Sequence, residues 1–194
     1  MIIKNHNKET LYNEINRNLF KTFDDKDRIK LNSGKLSKYY FDIRAVACKW
    51  YYAKLIAYAY DEVITNYASP ASSLIVGVGG LETGAIPIVM SLVFEYQLPG
   101  FYVRKEPKKW GMKRQIEGEL PNNVILVDDI ITSGKSILQC IDAIKRSRHE
   151  TRIIGVFPLI DRTCELENYD LFFQLRSKDI IYQPIFKSLE FINV

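Results

Sequence analysis

Residues 124–136 read VILVDDIITSGKS: four apolar residues, two adjacent aspartates and a turn of small polar residues. The apolar run has the pattern of a buried strand, so Asp128 and Asp129 arrive together at its carboxyl end. Paired carboxylates accept hydrogen bonds from vicinal hydroxyls and stabilise positive charge that develops on a sugar carbon. The residues that follow suit an anion. Thr132, Ser133, Gly134, Lys135 and Ser136 offer hydroxyls and approachable backbone amides at the start of a helix, where the dipole favours negative charge. A nucleotide P-loop is excluded, because that motif needs a glycine five positions before Gly134 and Asp129 stands there. Carboxylates beside a phosphate cradle specify a ribose 5-phosphate.

Two further stretches carry charge of the opposite sign. Arg104, Lys105, Lys108, Lys109, Lys113 and Arg114 fall within one short segment, enough positive charge to neutralise a pyrophosphate leaving group. Arg162 stands just past an apolar run, where its planar fork suits a carboxylate.

The elements that must position these residues alternate. Short apolar runs at 74–78 (LIVGV), 100–105 (GFYVRK), 124–129 (VILVDD), 153–160 (IIGVFPLI) and 171–175 (LFFQL) read as strands. Between them, 87–96 and SILQCIDAIKR read as helices, the latter with Ile137, Leu138, Ile141 and Ile144 on one face and Cys140 buried. Earlier in the chain, Leu11, Ile15 and Leu19 mark a peripheral helix. Residues 31–44 follow as a turn and an aromatic strand or hairpin carrying Arg44 outward, and 50–67 as an amphipathic helix. Strands alternating with helices predict an α/β domain with a mainly parallel sheet, whose ligands sit beyond the carboxyl ends of the strands. Four strands run into chemically unusual residues there: GGLETG, RKEPKKWG, DDIITSGKS and DRTC.

Composition narrows the class. At 194 residues, 47% apolar and 26% charged, the chain is long enough for one domain with a proper core. A formal charge of +4 without a run of five or more like charges favours a small anionic ligand over nucleic acid. Three widely spaced cysteines suggest neither a disulfide framework nor a zinc site and point to a reducing compartment. The polar start MIIKNHNKETLY is no secretory signal, and the apolar run 83–94 is too short to span a membrane, so a cytoplasmic protein is expected.

The stretch VILVDDIITSGKS resembles the signature of type I phosphoribosyltransferases, and other segments resemble the orotate phosphoribosyltransferases among them. FYVRKEPKKWGMKRQIEGEL (101–120) is similar to that family's mobile catalytic loop, with Arg104, Lys105, Lys108 and Gly111 matching and Trp110 where the pattern has histidine. SGKLSKYYFDIR (33–44) resembles its amino-terminal hood, which puts Tyr40 and Phe41 against the orotate ring. LIDRT (159–163) resembles the segment whose arginine contacts orotate, which assigns Arg162 to the substrate's anionic edge. GVGGLETGAIP (77–87) matches the pyrophosphate-side loop, with Gly84 where some members carry a lysine.

The resemblance implies a single domain over 1–194, with a five-stranded, mainly parallel sheet flanked by helices. About 1–45 and a C-terminal segment would form a small hood, and 104–118 a mobile flap. It implies transfer of a phosphoribosyl group from 5-phosphoribosyl 1-pyrophosphate to orotate. Lys108, Asp128 and Asp129 would serve catalysis. Arg104, Lys105, Lys109, Trp110, Ile130, Ile131 and Thr132 to Ser136 would contact the substrate. Mg²⁺ would be held through the substrate rather than by protein ligands, and a homodimer would share the flap. Two other readings fit the residues: transfer to a different base, and a regulator that binds the donor without turnover. Trp110 points toward the second, since it can neither carry positive charge nor accept a proton.

Overall fold

The computed structural model describes residues 2–30, 34, 36–68, 76–107, 114–164 and 170–192, with side chains from residue 7 onward. Helix α1 (Ile2–Glu14) runs on into a wide turn, Ile15–Leu19, and then into β1 (Phe20–Thr22). Two short strands, β2 (Ile29–Lys30) and β3 (Leu36–Ser37), pair antiparallel. β4 (Tyr39–Phe41) returns alongside β1 and leads into helix α2 (Ile43–Ala47). Helices α3 (Trp50–Ala59) and α4 (Asp61–Tyr67) replace the single helix expected there. They divide at Tyr60, a fully buried residue whose hydroxyl donates to Phe157 O at 2.9 Å and so anchors the corner to the sheet.

The remainder is built from βαβ units: β5 (Val76–Leu81), α5 (Ala85–Tyr96), β6 (Gly100–Val103), β7 (Ile116–Gly118), β8 (Asn123–Ile131), α6 (Lys135–Ser147), β9 (Arg152–Asp161), α7 (Asp170–Arg176), β10 (Ile181–Tyr182), β11 (Phe186–Lys187) and α8 (Leu189–Ile192). The order is β10-β9-β8-β5-β6-β7, with β11 also on β9. All neighbours are parallel except β6 and β7. The α/β class and the mainly parallel sheet agree with the sequence pattern, but the sheet has seven strands among the described residues rather than five.

Both faces of the sheet are covered, which is why its central strands are apolar throughout. Ile125 and Val127 of β8 face a core shared with α1, α3, α4 and α5, while Val124 and Leu126 face α6 and α7. Leu11, Ile15 and Leu19 are not peripheral; they are buried in the first of these cores. Each such side chain contributes about 1.5–3 kcal/mol when fully buried. The two chain ends meet in an aromatic cluster. Tyr12 stacks on Phe191 at 4.7 Å between ring centroids, Phe20 lies 4.9 Å from Phe41, and Tyr12 Oη donates to Glu190 O at 2.8 Å.

The expected strand at 171–175 is a correction. LFFQL lies in α7, where Leu171 and Leu175, four residues apart, share the buried face, while Phe172 and Phe173 stay exposed. A short apolar run reads equally as strand or helix, and here tertiary packing selects the helical period. The edge position beside β9 is taken by β10 and β11. At the opposite edge, the β6–β7 pairing is extended by Arg104 N donating to Gln115 O at 2.8 Å.

Candidate active site

The carboxyl-terminal ends of β5, β8 and β9 and the residues just past β6 meet at one rim of the sheet, as topology demands of parallel neighbours. With β2, β4 and α2 they wall a cleft of about 650 Å³.

β8 delivers its two carboxylates to different depths. Asp128 is buried, with only 6% of its surface exposed, whereas Asp129 faces the cleft. Burial, and then the charge of Asp129, push the Asp128 carboxyl well above the usual range; Asp129's backbone and the charge of Arg44 oppose that rise. Asp129 N donates to Asp128 Oδ1 at 3.0 Å, and Ile130 N donates to Asp129 Oδ1 at 2.8 Å. Arg44 Nε stands 3.4 Å from Asp129 Oδ2. That carboxylate also rests against Gly84, where a Cβ would come within 2.4 Å of Oδ1. The same two aspartates add to the burial that raises the Tyr60 phenol.

The anion cradle follows directly. Thr132, Ser133, Lys135 and Ser136 line the cleft, and Gly134 caps the thirteen-residue α6 with φ +74°. Glycine is required at this turn because of that left-handed φ and because a Cβ would lie 2.7 Å from the Leu171 side chain. The free amides of the first helical turn and the dipole behind them favour a phosphate.

Across the cleft, Tyr40, Phe41 and Arg162 form the third wall. Arg162 is almost wholly buried. Its Nη2 donates to Ser37 Oγ at 2.8 Å and its Nη1 to Tyr39 O at 3.3 Å, and its guanidinium carbon sits 5.6 Å from the Phe41 ring centroid. Lys105 completes the rim. Its backbone is fixed on both sides, its N–H donating to Glu82 Oε1 at 2.9 Å and its carbonyl accepting from Gln139 Nε2 at 2.7 Å.

The cleft thus gathers Tyr40, Phe41, Lys105, Asp128, Asp129, Ile130, Thr132, Ser133, Lys135, Ser136 and Arg162 from the residues singled out in the sequence. Arg104, Ile131 and Gly134 are not among its lining residues: the Arg104 backbone closes the β6–β7 hairpin, Ile131 joins the core under α6, and Gly134 shapes the turn. Lys108, Lys109, Trp110 and Gly111 lie outside the described residues. The structure adds Ile29, Lys30 and Arg44 from the amino-terminal segment, together with Ser37 behind Arg162. Arg44 was expected to point outward; it turns into the cleft because Ile43, Val46 and Ala47 bury the other face of α2. Nothing local marks these residues, since each meets its site partner across a long stretch of chain.

No protein-family model matches the chain. It is 37% identical over 145 residues to an orotate phosphoribosyltransferase of Aquifex aeolicus, a match that covers 71% of this chain and 75% of that one. A phosphoribosyltransferase structure from Corynebacterium diphtheriae superposes with a TM-score of 0.74 at 23% identity, covering 97% of this chain and 99% of the other. The orotate phosphoribosyltransferase of Mycobacterium tuberculosis in complex with 5-phospho-alpha-D-ribosyl 1-diphosphate superposes with a TM-score of 0.70 at 23% identity, with the same coverage. At these identities the structural likeness shows a shared fold.

Proposed function

The chain belongs to the orotate phosphoribosyltransferases and carries the type I phosphoribosyltransferase fold, and from that premise we propose how it transfers the phosphoribosyl group of 5-phosphoribosyl 1-pyrophosphate to orotate. The products are orotidine 5'-monophosphate and pyrophosphate, and the step belongs to pyrimidine nucleotide synthesis. One observation carries the reading: a single cleft holds a carboxylate pair, an anion cradle at a helix start and a buried arginine on the far wall.

The 5-phosphate sits in the turn from Thr132 to Ser136. Asp129, backed by Asp128, accepts the ribose hydroxyls and stabilises the sugar as positive charge grows at the anomeric carbon. A ring nitrogen of orotate, its proton lost to solvent, bonds to that carbon as the carbon–oxygen bond to the diphosphate breaks and the diphosphate leaves with the electron pair. Arg162 draws the orotate carboxylate to the far wall, and Tyr40 and Phe41 meet the ring. Lys105, with Lys108, Lys109 and Trp110 from the following segment, receives the departing diphosphate; Arg104 anchors that segment, while Ile130, Ile131 and Gly134 hold the backbone of the ribose and phosphate turns. Mg²⁺, held through the oxygens of the donor rather than by protein ligands while Asp128 and Asp129 hold the ribose hydroxyls, would lower the charge of the leaving group.

A homodimer that shares the 104–118 segment across its interface belongs to the same proposal and draws support from the family alone. A cytoplasmic location belongs to the proposal as well, and the free thiols of Cys48, Cys140 and Cys164 support it. No helix among the described residues is long and apolar enough to cross a membrane.

The test follows loss of orotate absorbance on adding protein, 5-phosphoribosyl 1-pyrophosphate and Mg²⁺, with Lys108→Ala and Trp110→His alongside. Consumption that disappears in Lys108→Ala is the expected result. Donor binding without orotate consumption overturns the acceptor or the turnover, and rescue by Trp110→His locates the fault in that position.

A further inference from the structure

Arg44 is placed by packing rather than by its own contacts. It projects from α2, whose Ile43, Val46 and Ala47 are buried, and more than half of its side chain remains exposed to the cleft. One nitrogen, Nε, reaches Asp129 Oδ2 at 3.4 Å, a long contact for an ion pair. A guanidinium has five N–H donors, so this arrangement occupies one edge of it.

Asp129 is also closed off by Gly84. A Cβ at Gly84 would fall within 2.4–2.7 Å of all three carboxyl atoms of Asp129, so the loop after β5 cannot place a side chain at this corner unless the carboxylate moves. The cation at this corner therefore comes from α2 rather than from position 84.

The chemistry of the donor makes the corner significant. Its diphosphate hangs from C1 of the ribose, adjacent to C2, and the C2 and C3 hydroxyls are the groups a carboxylate can grip. A cation in contact with the gripping carboxylate is therefore within side-chain reach of the diphosphate. Once Asp129 accepts hydroxyl protons, Arg44 can exchange a long contact with one carboxylate for a closer one with several phosphate oxygens, a geometry that guanidinium matches bidentately. We propose that Arg44 is a diphosphate-binding residue of this site, paired with Asp129 until the donor arrives and moved onto the donor's diphosphate when the ribose takes Asp129. The assignment rests on the proposed function.

Calorimetric titration without orotate tests it, using wild type, Arg44→Ala and Arg44→Lys against three probes: 5-phosphoribosyl 1-pyrophosphate with Mg²⁺, pyrophosphate with Mg²⁺, and ribose 5-phosphate. Arg44→Ala is expected to weaken the two diphosphate-bearing probes by about ten- to hundredfold and to leave ribose 5-phosphate unchanged or tighter, with Arg44→Lys in between. An unaltered thermal midpoint shows that the variants fold. Equal losses for all three probes overturn the assignment in favour of a structural role, and unchanged affinity for all three overturns it outright. A wild-type chain that binds ribose 5-phosphate but neither diphosphate overturns the proposed function as well, which separates that failure from the loss of Arg44 alone.

Discussion

Ser37 Oγ accepts a 2.8 Å hydrogen bond from Arg162 Nη2, joining β3 to the residue just past β9 across most of the chain. Both partners are buried, Arg162 to 2% exposure, so a lost acceptor cannot be replaced easily by water. Removing one partner of a buried charged hydrogen bond costs about 1.5–3 kcal/mol. Ser37→Ala is expected to lower kcat/KM for orotate by about tenfold or more, with donor affinity unchanged and Ser37→Thr restoring most of it. Steady-state kinetics with each substrate varied in turn checks this; parallel losses for both substrates would refute a role confined to the orotate side.

In the proposed mechanism Asp128 is ionised when it supports the ribose, yet burial and the neighbouring Asp129 hold its carboxyl well above the usual range. Because the folded-state value exceeds the unfolded one, the folded chain binds the proton more tightly. Stability is therefore greatest below the unfolded value, falls as pH rises through the window up to the folded value, and is level beyond it. Activity runs the other way and rises across that window. The acid limb of kcat/KM is expected to lie above the ordinary aspartate value of about 3.9. Arg44→Ala should move the limb higher still, since the Arg44 charge opposes the rise. A pH profile with its limb at the ordinary value would contradict this.

Gly84 has helical backbone angles, φ −64° and ψ −38°, so alanine is acceptable there to the main chain. What an added Cβ meets is the end of the Asp129 side chain. Gly84→Ala is therefore expected to keep or slightly raise the thermal midpoint while weakening donor binding by about tenfold, the scale of one charged hydrogen bond. Scanning calorimetry and donor titration on the same preparation separate the two effects.

Gly134 is the reverse case, with strain in the fold itself. Its φ of +74° and the Leu171 side chain 2.7 Å from a built Cβ both oppose substitution. Gly134→Ala should cost at least about 1–2 kcal/mol for the left-handed conformation alone, or about 2–8 °C in thermal midpoint for a domain of this size. An unchanged midpoint would show that the turn before α6 has relaxed.

The parts of the site legible in the sequence are those where the chemistry is local. Asp128, Asp129 and the Thr132–Ser136 turn are consecutive, and the strand and helix that carry them have clean periods, so motif and elements agree. What escaped depends on distant packing. Ser37 and Arg162 are 125 residues apart, and Arg44 meets Asp129 only because α2 buries its opposite face. LFFQL was misread for the same reason: its five residues suit either period until Leu171 closes over Gly134 and Leu175 packs beneath α6. The break at Tyr60 follows a tyrosine hydroxyl that finds its acceptor on β9, a partner no window along the chain could reveal.

The β6–β7 hairpin ties Arg104 to Gln115 and pins both ends of the segment between them to the sheet edge. The entropy of closing a loop between fixed ends grows only slowly, by about 0.6 kcal/mol for each doubling of length. Added length between those two fixed ends therefore costs the fold little. Under the proposed function, exchange of a residue assigned there to the leaving group, such as Trp110, leaves the phosphate turn and the sheet as they are. On that proposal, the rate of turnover and the architecture that supports it are separately adjustable.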